Sequence, residues 1–197
     1  MIEGLYKPFQ HWAEKNGVWL ISDTHFNEDD LRKAFPKRPD PDELVKQINQ
    51  KVGKTGTLIH LGDVGDCEWA RKLKGYKILV CGNHDVGASV YEEIFDEVYT
   101  GPLIISPRII LSHEPLDIDW MFNIHGHTHN ITVDRKGHLC VCADVMGYTP
   151  INFNQFVKSG RLKECESIHR TTIDDATKRA RKRGHKLGEQ NLCNGRY

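Results

Sequence analysis

The sequence predicts an α/β fold. Short, nearly continuous apolar runs alternate with segments of helical pattern, and the runs end on glycine and polar residues. Thr57-Leu58-Ile59-His60-Leu61-Gly62-Asp63 shows both features in one stretch. A strand buried on both faces reads this way, without alternation and closed by a turn signal. A chain of 197 residues can bury one sizeable core, so one domain with a small appendage is expected. In open α/β sheets reactive groups gather beyond the carboxyl ends of the strands, which is where Asp63 falls.

Taken in order, residues 8–15 read as a short helix that starts at Pro8 and stops at Asn16-Gly17, because proline suits a first helical turn and Asn-Gly ends one. Val18 to Ser22 is the first apolar run, followed by Asp23-Thr24-His25. Residues 26–40 carry Pro36, Pro39 and acidic pairs and predict a surface loop. Pro41-Asp42-Glu43 opens a helix to about Val52, with Leu44, Val45 and Ile48 on one buried face. Gly53 and Gly56 end it and lead into the 57–61 strand.

Residues 67–74 predict a short helix stopped by Gly75, and Tyr76 to Cys81 a third strand before Gly82-Asn83-His84-Asp85. Residues 89–97 predict a helix with Val90, Ile94 and Phe95 inward. Two β-rich runs, 98–105 and 108–112, are split by Ser106-Pro107 like a hairpin, and the second ends in Ser112-His113. Phe122 to His125 is a short strand before Gly126-His127-Thr128-His129. Leu139 to Ala143 alternates and predicts a strand, and Asn152 to Val157 a short helix. The domain is expected over residues 1–160, with 161–197 a basic, partly helical extension.

The net charge is zero but unevenly spread: residues 161–197 hold ten Lys and Arg against five Asp and Glu. No apolar run reaches the 18 residues of a membrane span, and the first residues lack an apolar secretion core, so no membrane partner and a cytoplasmic location are expected. The six cysteines, Cys67, Cys81, Cys140, Cys142, Cys165 and Cys193, form no C-x-x-C pair. Free thiols are expected rather than disulfides or a cysteine zinc site.

The polar residues that follow the apolar runs are Asp23 and His25, Asp63 and Asp66, Asn83, His84 and Asp85, His113, and His127 with His129. Brought together, they make a cluster of oxygen and nitrogen donors without sulfur, which suits Mn, Fe, Co, Ni or Zn. They are too many for one ion, and a bridging carboxylate lets them serve two. A pair of divalent ions is a clamp for in-line attack on phosphorus. Gly62, Gly82 and Gly126 permit sharp turns and close backbone approach beside the donors.

These segments resemble the calcineurin-like metallophosphoesterases. That family's pattern is D-x-H, G-D-x-x-D, G-N-H-D or G-N-H-E, a lone His, and G-H-x-H. Here it stands as Asp23-Thr24-His25, Gly62-Asp63-Val64-Gly65-Asp66, Gly82-Asn83-His84-Asp85, His113, and Gly126-His127-Thr128-His129, in order. The opening Ser22-Asp23-Thr24-His25-Phe26 is similar to the compact bacterial and phage members. The resemblance implies that Asp23, His25 and His129 hold one metal and that Asn83, His113 and His127 hold a second. Asp63 would bridge them, manganese would serve in vitro, and a bridging hydroxide would be the nucleophile. It further implies that His84 protonates the leaving group or stabilises the transition state, and that Asp66 pairs with His84.

Read from the residues alone, Asp66 also suits a helix N-cap, and Asp85 suits a turn as well as a functional role. His60 and His125 read as core or supporting histidines, and His11, His138, His169 and His185 as surface ones. Cys67 occupies the position at which protein-phosphatase members of the family carry a phosphate-gripping arginine, which argues against a dedicated phosphoprotein phosphatase. Asn27-Glu28 replaces the Gly-His of many compact members. Arg32, Lys37, Arg38 and Arg71 are the candidates to neutralise phosphate instead.

The expected function is hydrolysis of phosphodiester or phosphomonoester bonds in a small, nucleotide-like substrate. The alternative is a nuclease that contacts DNA or RNA through the basic segment 178–186, which holds six Lys and Arg and no acid. A non-catalytic metal-binding scaffold is a third reading, and the intact donor set speaks against it. The expected architecture is a four-layer α-β-β-α sandwich: two mixed sheets flanked by helices, with metals at the carboxyl ends of the strands.

Overall fold

In the computed structural model, residues 4–129 and 135–165 are described, together with Asp175, Thr177 and Lys178. The strands, in chain order, are β1 (Val18–Ile21), β2 (Thr57–His60), β3 (Tyr76–Val80), β4 (Glu97–Tyr99), β5 (Leu103–Ser106), β6 (Ile109–Leu111), β7 (Phe122–His125), β8 (His138–Cys140) and β9 (Ile151–Asn152). The helices are α1 (Asp29–Ala34), α2 (Pro41–Val52), α3 (Cys67–Ala70), α4 (Ala88–Tyr91) and α5 (Phe153–Lys158), with 3-10 turns at Lys7–Glu14 and Arg161–Glu164.

The first sheet has the order β4-β3-β2-β1-β9, parallel except for β9. The second has the order β5-β6-β7-β8, with β5 antiparallel to β6 and the rest parallel. Successive side chains on a strand point to opposite faces, and both faces of the first sheet are covered. Val18, Leu20, Ile59, Leu61, Ile78 and Val80 pack toward Ile109, Leu111, Phe122 and Ile124 of the second sheet. Ile21, Leu58 and Leu79 pack instead with Leu44, Val45 and Ile48 of α2 and with Ala70 and Tyr91 of α3 and α4. This double burial is why the strands read as unbroken apolar runs. Phe153 and Phe156 of α5 join the inter-sheet core, and Arg161 donates to the His138 carbonyl beside β8 at 2.8 Å. The fold is therefore α/β, two mixed sheets flanked by helices.

The two sheets are stitched together at one end. Past β1, Ser22 N–H donates to Val141 and Ala143 N–H donates to Ser22, at 3.0 and 2.9 Å. Cys142 pairs with Ser22 across this seam, so the predicted 139–143 strand serves both sheets, with β8 itself stopping at Cys140.

Several elements differ from expectation for identifiable reasons. The predicted 26–40 loop contains α1, whose first turn holds Asp29 and Asp30 and whose last holds Arg32 and Lys33, the charge order that favours a helix dipole. Pro36 then disfavours helical backbone at Phe35, which has φ −121° and ψ 80°. The predicted 98–105 run is two strands, β4 and β5, in different sheets. Gly101-Pro102 divides them, because proline supplies no N–H to a continuing ladder. The hairpin at Ser106-Pro107 is present as the antiparallel β5–β6 pair. His138 is buried, its Nε2 3.1 Å from Asp117, rather than on the surface.

Contacts divide the chain into Met1–Cys165 and Glu166–Tyr197. Of the second unit, Asp175, Thr177 and Lys178 are helical, with Lys178 3.9 Å from Asp175. The rest of the basic, partly helical extension beyond Cys165, with most of the segment 178–186 and with His169, His185 and Cys193, lies outside the described residues. Among the described residues no helix is long and apolar enough to cross a membrane.

Candidate metal centre

All seven side chains expected to bind metal follow strand ends on the stitched side of the fold. Asp23, His25, Asp63 and Asn83 follow β1, β2 and β3 of the first sheet; His113, His127 and His129 follow β6 and β7 of the second. Five of them sit on left-handed backbone: Asp23 at φ 56°, His25 at 37°, Asp63 at 55°, His127 at 68° and His129 at 41°. Such residues cost about 1–3 kcal/mol each and persist only where their surroundings enforce them. Here the enforcement is hydrogen bonding between strand ends. Asp23 N–H donates to Gly62 at 2.9 Å and His25 N–H to Asp63 at 3.0 Å. His127 N–H donates to both Asp23 carboxylate oxygens, at 3.1 and 2.9 Å.

The motif glycines make room for these contacts. A side chain at Gly62 would collide with the Gly82 backbone and the His113 ring, and its φ of +90° suits glycine alone. One at Gly126 would overlap the Asp23 carboxylate and Ser22.

The protonation pattern shows what the cluster is built to hold. His25 Nδ1 lies 2.9 Å from Glu28 Oε2, His113 Nδ1 2.8 Å from the Leu61 carbonyl, and His129 Nδ1 2.8 Å from Asp144 Oδ2. A neutral ring carries one proton, and with that proton on Nδ1, toward the acceptor there, Nε2 keeps its lone pair. Those lone pairs face other acceptors. His113 Nε2 is 2.9 Å from Asn83 Oδ1, 3.1 Å from His127 Nδ1 and 3.3 Å from Asp63 Oδ2. His25 Nε2 is 3.4 Å from Asp63 Oδ2 and 3.9 Å from Asp23 Oδ1. It is buried and has no hydrogen-bond partner among the described residues. A buried polar atom normally finds a partner, and an acceptor surrounded by acceptors needs a cation. The donor set of imidazole, carboxylate and amide oxygen fits a borderline divalent ion.

Electrostatics agree. Burial pushes the Asp63 carboxyl up, but with His113 doubly protonated and no metal bound, the hydrogen bonds from that ring and from the His84 N–H outweigh it and hold the group at about 2. Burial works against a charged His113, yet Asp63 and Asp23 raise its proton affinity on balance. His129 is raised by its bond to Asp144. A site that gathers protons onto its imidazoles also attracts metal cations, which compete for the same lone pairs. Cys142 approaches to 3.6 Å from His129 Nδ1 and completes a possible donor trio with Asp23 and His129. Its neighbour Cys140, burial and Asp23 push that thiol up.

The supporting residues were the part least visible in the sequence. Asp144 anchors His129 and takes a 2.6 Å bond from Arg38, both side chains being 2% exposed. Arg38 also donates to the carbonyls of Thr24 and Asp23, at 2.5 and 3.0 Å. It therefore clamps the Asp23–Thr24 backbone to the carboxylate that anchors His129 and is not free to meet phosphate. Of the other phosphate candidates, Arg32 pairs with Asp40 and Arg71 with Glu93 and Glu68, whereas Lys37 is exposed. Asp85 proves to be an organiser of backbone: it accepts from the N–H groups of Asp63, Gly82 and Val64 and from the Tyr91 hydroxyl. His60 and His125 are fully buried, as expected, and burial lowers His60 to about 4.

The two side chains expected to act on substrate are placed differently from one another. His84 is exposed, its ring 5.6 Å from that of His25, while its N–H holds Asp63 Oδ1 at 2.9 Å. Asp66 caps α3 by accepting from Glu68 N–H at 2.9 Å, and its other oxygen accepts from Asn27 at 3.1 Å. Among the described residues no hydrogen bond joins Asp66 to His84.

Comparison with known proteins places this geometry. The chain is 29% identical over 179 residues to an uncharacterized protein of Methanocaldococcus jannaschii, MJ1445, covering 80% of this chain and 97% of that one. A solved structure of a protein of unknown function from Aquifex aeolicus, AQ665, aligns with a TM-score of 0.61 at 25% identity, over 72% of this chain and 98% of that one. The nuclease MPE of Pseudomonas putida aligns with a TM-score of 0.43 at 19% identity, over 57% of this chain and 61% of that one. The family model described as calcineurin-like phosphoesterase matches residues 17–184, a span that includes every donor of the cluster, and the chain belongs to that family.

Proposed function

We propose that the protein is a metal-dependent phosphoesterase that hydrolyses phosphodiester or phosphomonoester bonds of a small, nucleotide-like substrate at a pair of divalent ions. The supporting observation is that one oxygen, Asp63 Oδ2, faces lone pairs of both donor groups, His25 at 3.4 Å and His113 at 3.3 Å. In this reading Asp23, His25 and His129 hold one ion, Asn83, His113 and His127 hold the other, and Asp63 is shared. Divalent ions there would supply Lewis acidity toward phosphoryl oxygens and acidify water at neutral pH.

The chain's own residues do the remainder. Glu28, Leu61 and Asp144 fix three imidazoles in the tautomer that offers Nε2. His84, exposed over the His25 ring, is assigned the proton for the leaving oxygen, a task suited to an imidazole near neutral pH. Asp66 is assigned to holding the loop of Asn27 and α3, since its oxygens already do so. The free thiols Cys67, Cys81, Cys140, Cys142 and Cys165 suit a reducing compartment such as the cytoplasm.

The test is release of 4-nitrophenol from its bis- and mono-phosphate esters with Mn, Co, Ni, Fe or Zn. Turnover with at least one ion, lost on chelation, is expected; no turnover with any of them overturns the proposal. A nuclease is the second reading, favoured by the acid-free run of basic residues at 178–186. Removal of residues 171–197 without any change in nucleic-acid binding would eliminate the basic segment as the nucleic-acid contact, and no nucleic-acid binding by the intact chain would eliminate the nuclease reading itself.

A further inference from the structure

A cavity of about 230 Å³ opens against the second donor group, with Asn83 and His113 themselves in its wall. The remaining wall is the seam where the chain leaves one sheet for the other. Cys81 follows β3, Thr100 and Pro102 link β4 to β5, and Glu114 and Leu116 follow β6. By contrast, the larger cleft of about 460 Å³, lined by Asp40, Asp42, Glu43 and Trp69, borders none of the converging donors.

We infer that this cavity seats the alcohol portion of the substrate, and that it accepts a small alcohol that is not anionic and carries hydrogen-bond donors. The inference rests on the phosphoesterase reading above, and in place of its nucleotide-like substrate it sets a small neutral or cationic alcohol. Asn83 and His113 belong both to the donor group and to the cavity wall. A phosphorus centre bound at that group would lie beside this wall, close enough for one substituent to enter the cavity. The size is below the roughly 300–1,000 Å³ of sites for drug-sized ligands, which suits one ring or a short polyol.

Charge sets the class. Glu114 is exposed at this cavity, and among the described residues no lysine or arginine lines it. A carboxylate with no compensating base repels a second phosphate or carboxylate on the substrate. It attracts hydroxyl or ammonium groups, and the Thr100 hydroxyl adds a further polar contact. Val80, Pro102 and Leu116 supply apolar wall. Nucleoside polyphosphates and internal phosphates of nucleic acid are disfavoured on this side, whereas a polyol or an amino alcohol fits.

Three monoesters of similar size separate the possibilities: glycerol 3-phosphate, O-phosphoethanolamine and 3-phosphoglycerate. Calorimetric titration into the manganese-loaded protein should give the first two at least about tenfold tighter binding than the anionic third. Glu114→Gln should shrink that gap to about threefold or less, and Glu114→Lys should invert it. Tighter binding of the glycerol ester identifies a hydroxylated alcohol as the class, and tighter binding of the amine an amino alcohol. Equal binding of all three, no binding of any, or indifference to Glu114→Lys overturns the inference. Turnover of bis-4-nitrophenyl phosphate by the wild-type protein is measured alongside. If that turnover is present, such results count against the cavity alone. If it is absent with every ion tried, the phosphoesterase reading itself fails.

Discussion

At the scale of single residues, Asp63 and Asp144 carry the most weight. Asp63 is 1% exposed and one of its oxygens faces both donor groups. Asp63→Asn keeps the shape and removes the negative charge. It should abolish turnover and, because the folded carboxyl is held at about 2, lower the metal-free urea midpoint at neutral pH while leaving the transition cooperative. Asp144 was not marked by the sequence, although the rule that found the other donors applies to it: it is the first ionisable residue after the Leu139–Ala143 run. That rule collects residues at strand ends, but it does not separate a ligand from the group that orients one. Arg38 shows the converse. Its position near Asp23 and His25 suggested phosphate, yet its side chain is 2% exposed and spent on Asp144 and two carbonyls. Asp144→Ala leaves that guanidinium buried without its counter-ion. A loss of about 3–5 kcal/mol follows by chemical denaturation, with metal affinity reduced about 10–100-fold as His129 loses its anchor. Asp144→Asn should recover part of the stability.

At the scale of elements, the strand ends were legible because each apolar run stops on a glycine or a polar cluster. The short pieces between them were not. α1 has no buried residue, so no apolar periodicity announces it; only its charge order and Pro36 do. The 98–105 run looks continuous because β4 and β5 are both β-rich, and sheet membership is decided by partners far away in the chain. β4 also contains an acid-sensitive joint. Glu97 accepts from Tyr99, Trp12 and Tyr76, and meets His11 Nε2 at 2.6 Å. Burial raises its carboxyl, but the bonds from Tyr99, His11, Trp12 and Tyr76 outweigh that and leave it below the ordinary range. A lowered folded-state pKa gives stability that is present above the unfolded-state value and is lost as pH falls through the folded one. The difference in urea midpoint between wild type and Glu97→Gln should therefore narrow as pH falls from neutrality through the acidic range. A difference constant over that range would show that the carboxylate does not secure the joint.

At the scale of the whole molecule, the centre exists only where two sheets meet. Asp23, His25, Asp63 and Asn83 follow strands of one sheet, and His113, His127 and His129 follow strands of the other. The class of fold, the parallel strands and the polar residues at the strand ends could be read from one-dimensional pattern, because burial and turn chemistry are local; which seven of those residues to propose as ligands came from the family resemblance. The Ser22–Cys142 seam and the clamp of Arg38 on Asp144 join residues over a hundred positions apart, and no local pattern encodes them. Because the ligands come from both sheets, metal binding should hold the sheets together. Manganese at a hundredfold excess over its dissociation constant should add about 2.7 kcal/mol of stability, read as a rise in Tm that Asp63→Asn largely removes.

The shared carboxylate is the central claim, and metal content tests it most directly. Wild-type protein and Asp63→Asn are loaded with manganese, freed of excess metal and measured by elemental analysis against protein concentration. Close to two ions per wild-type chain and no more than one in the variant is the predicted result. Two ions retained by Asp63→Asn, or none held by the wild type, would contradict the account.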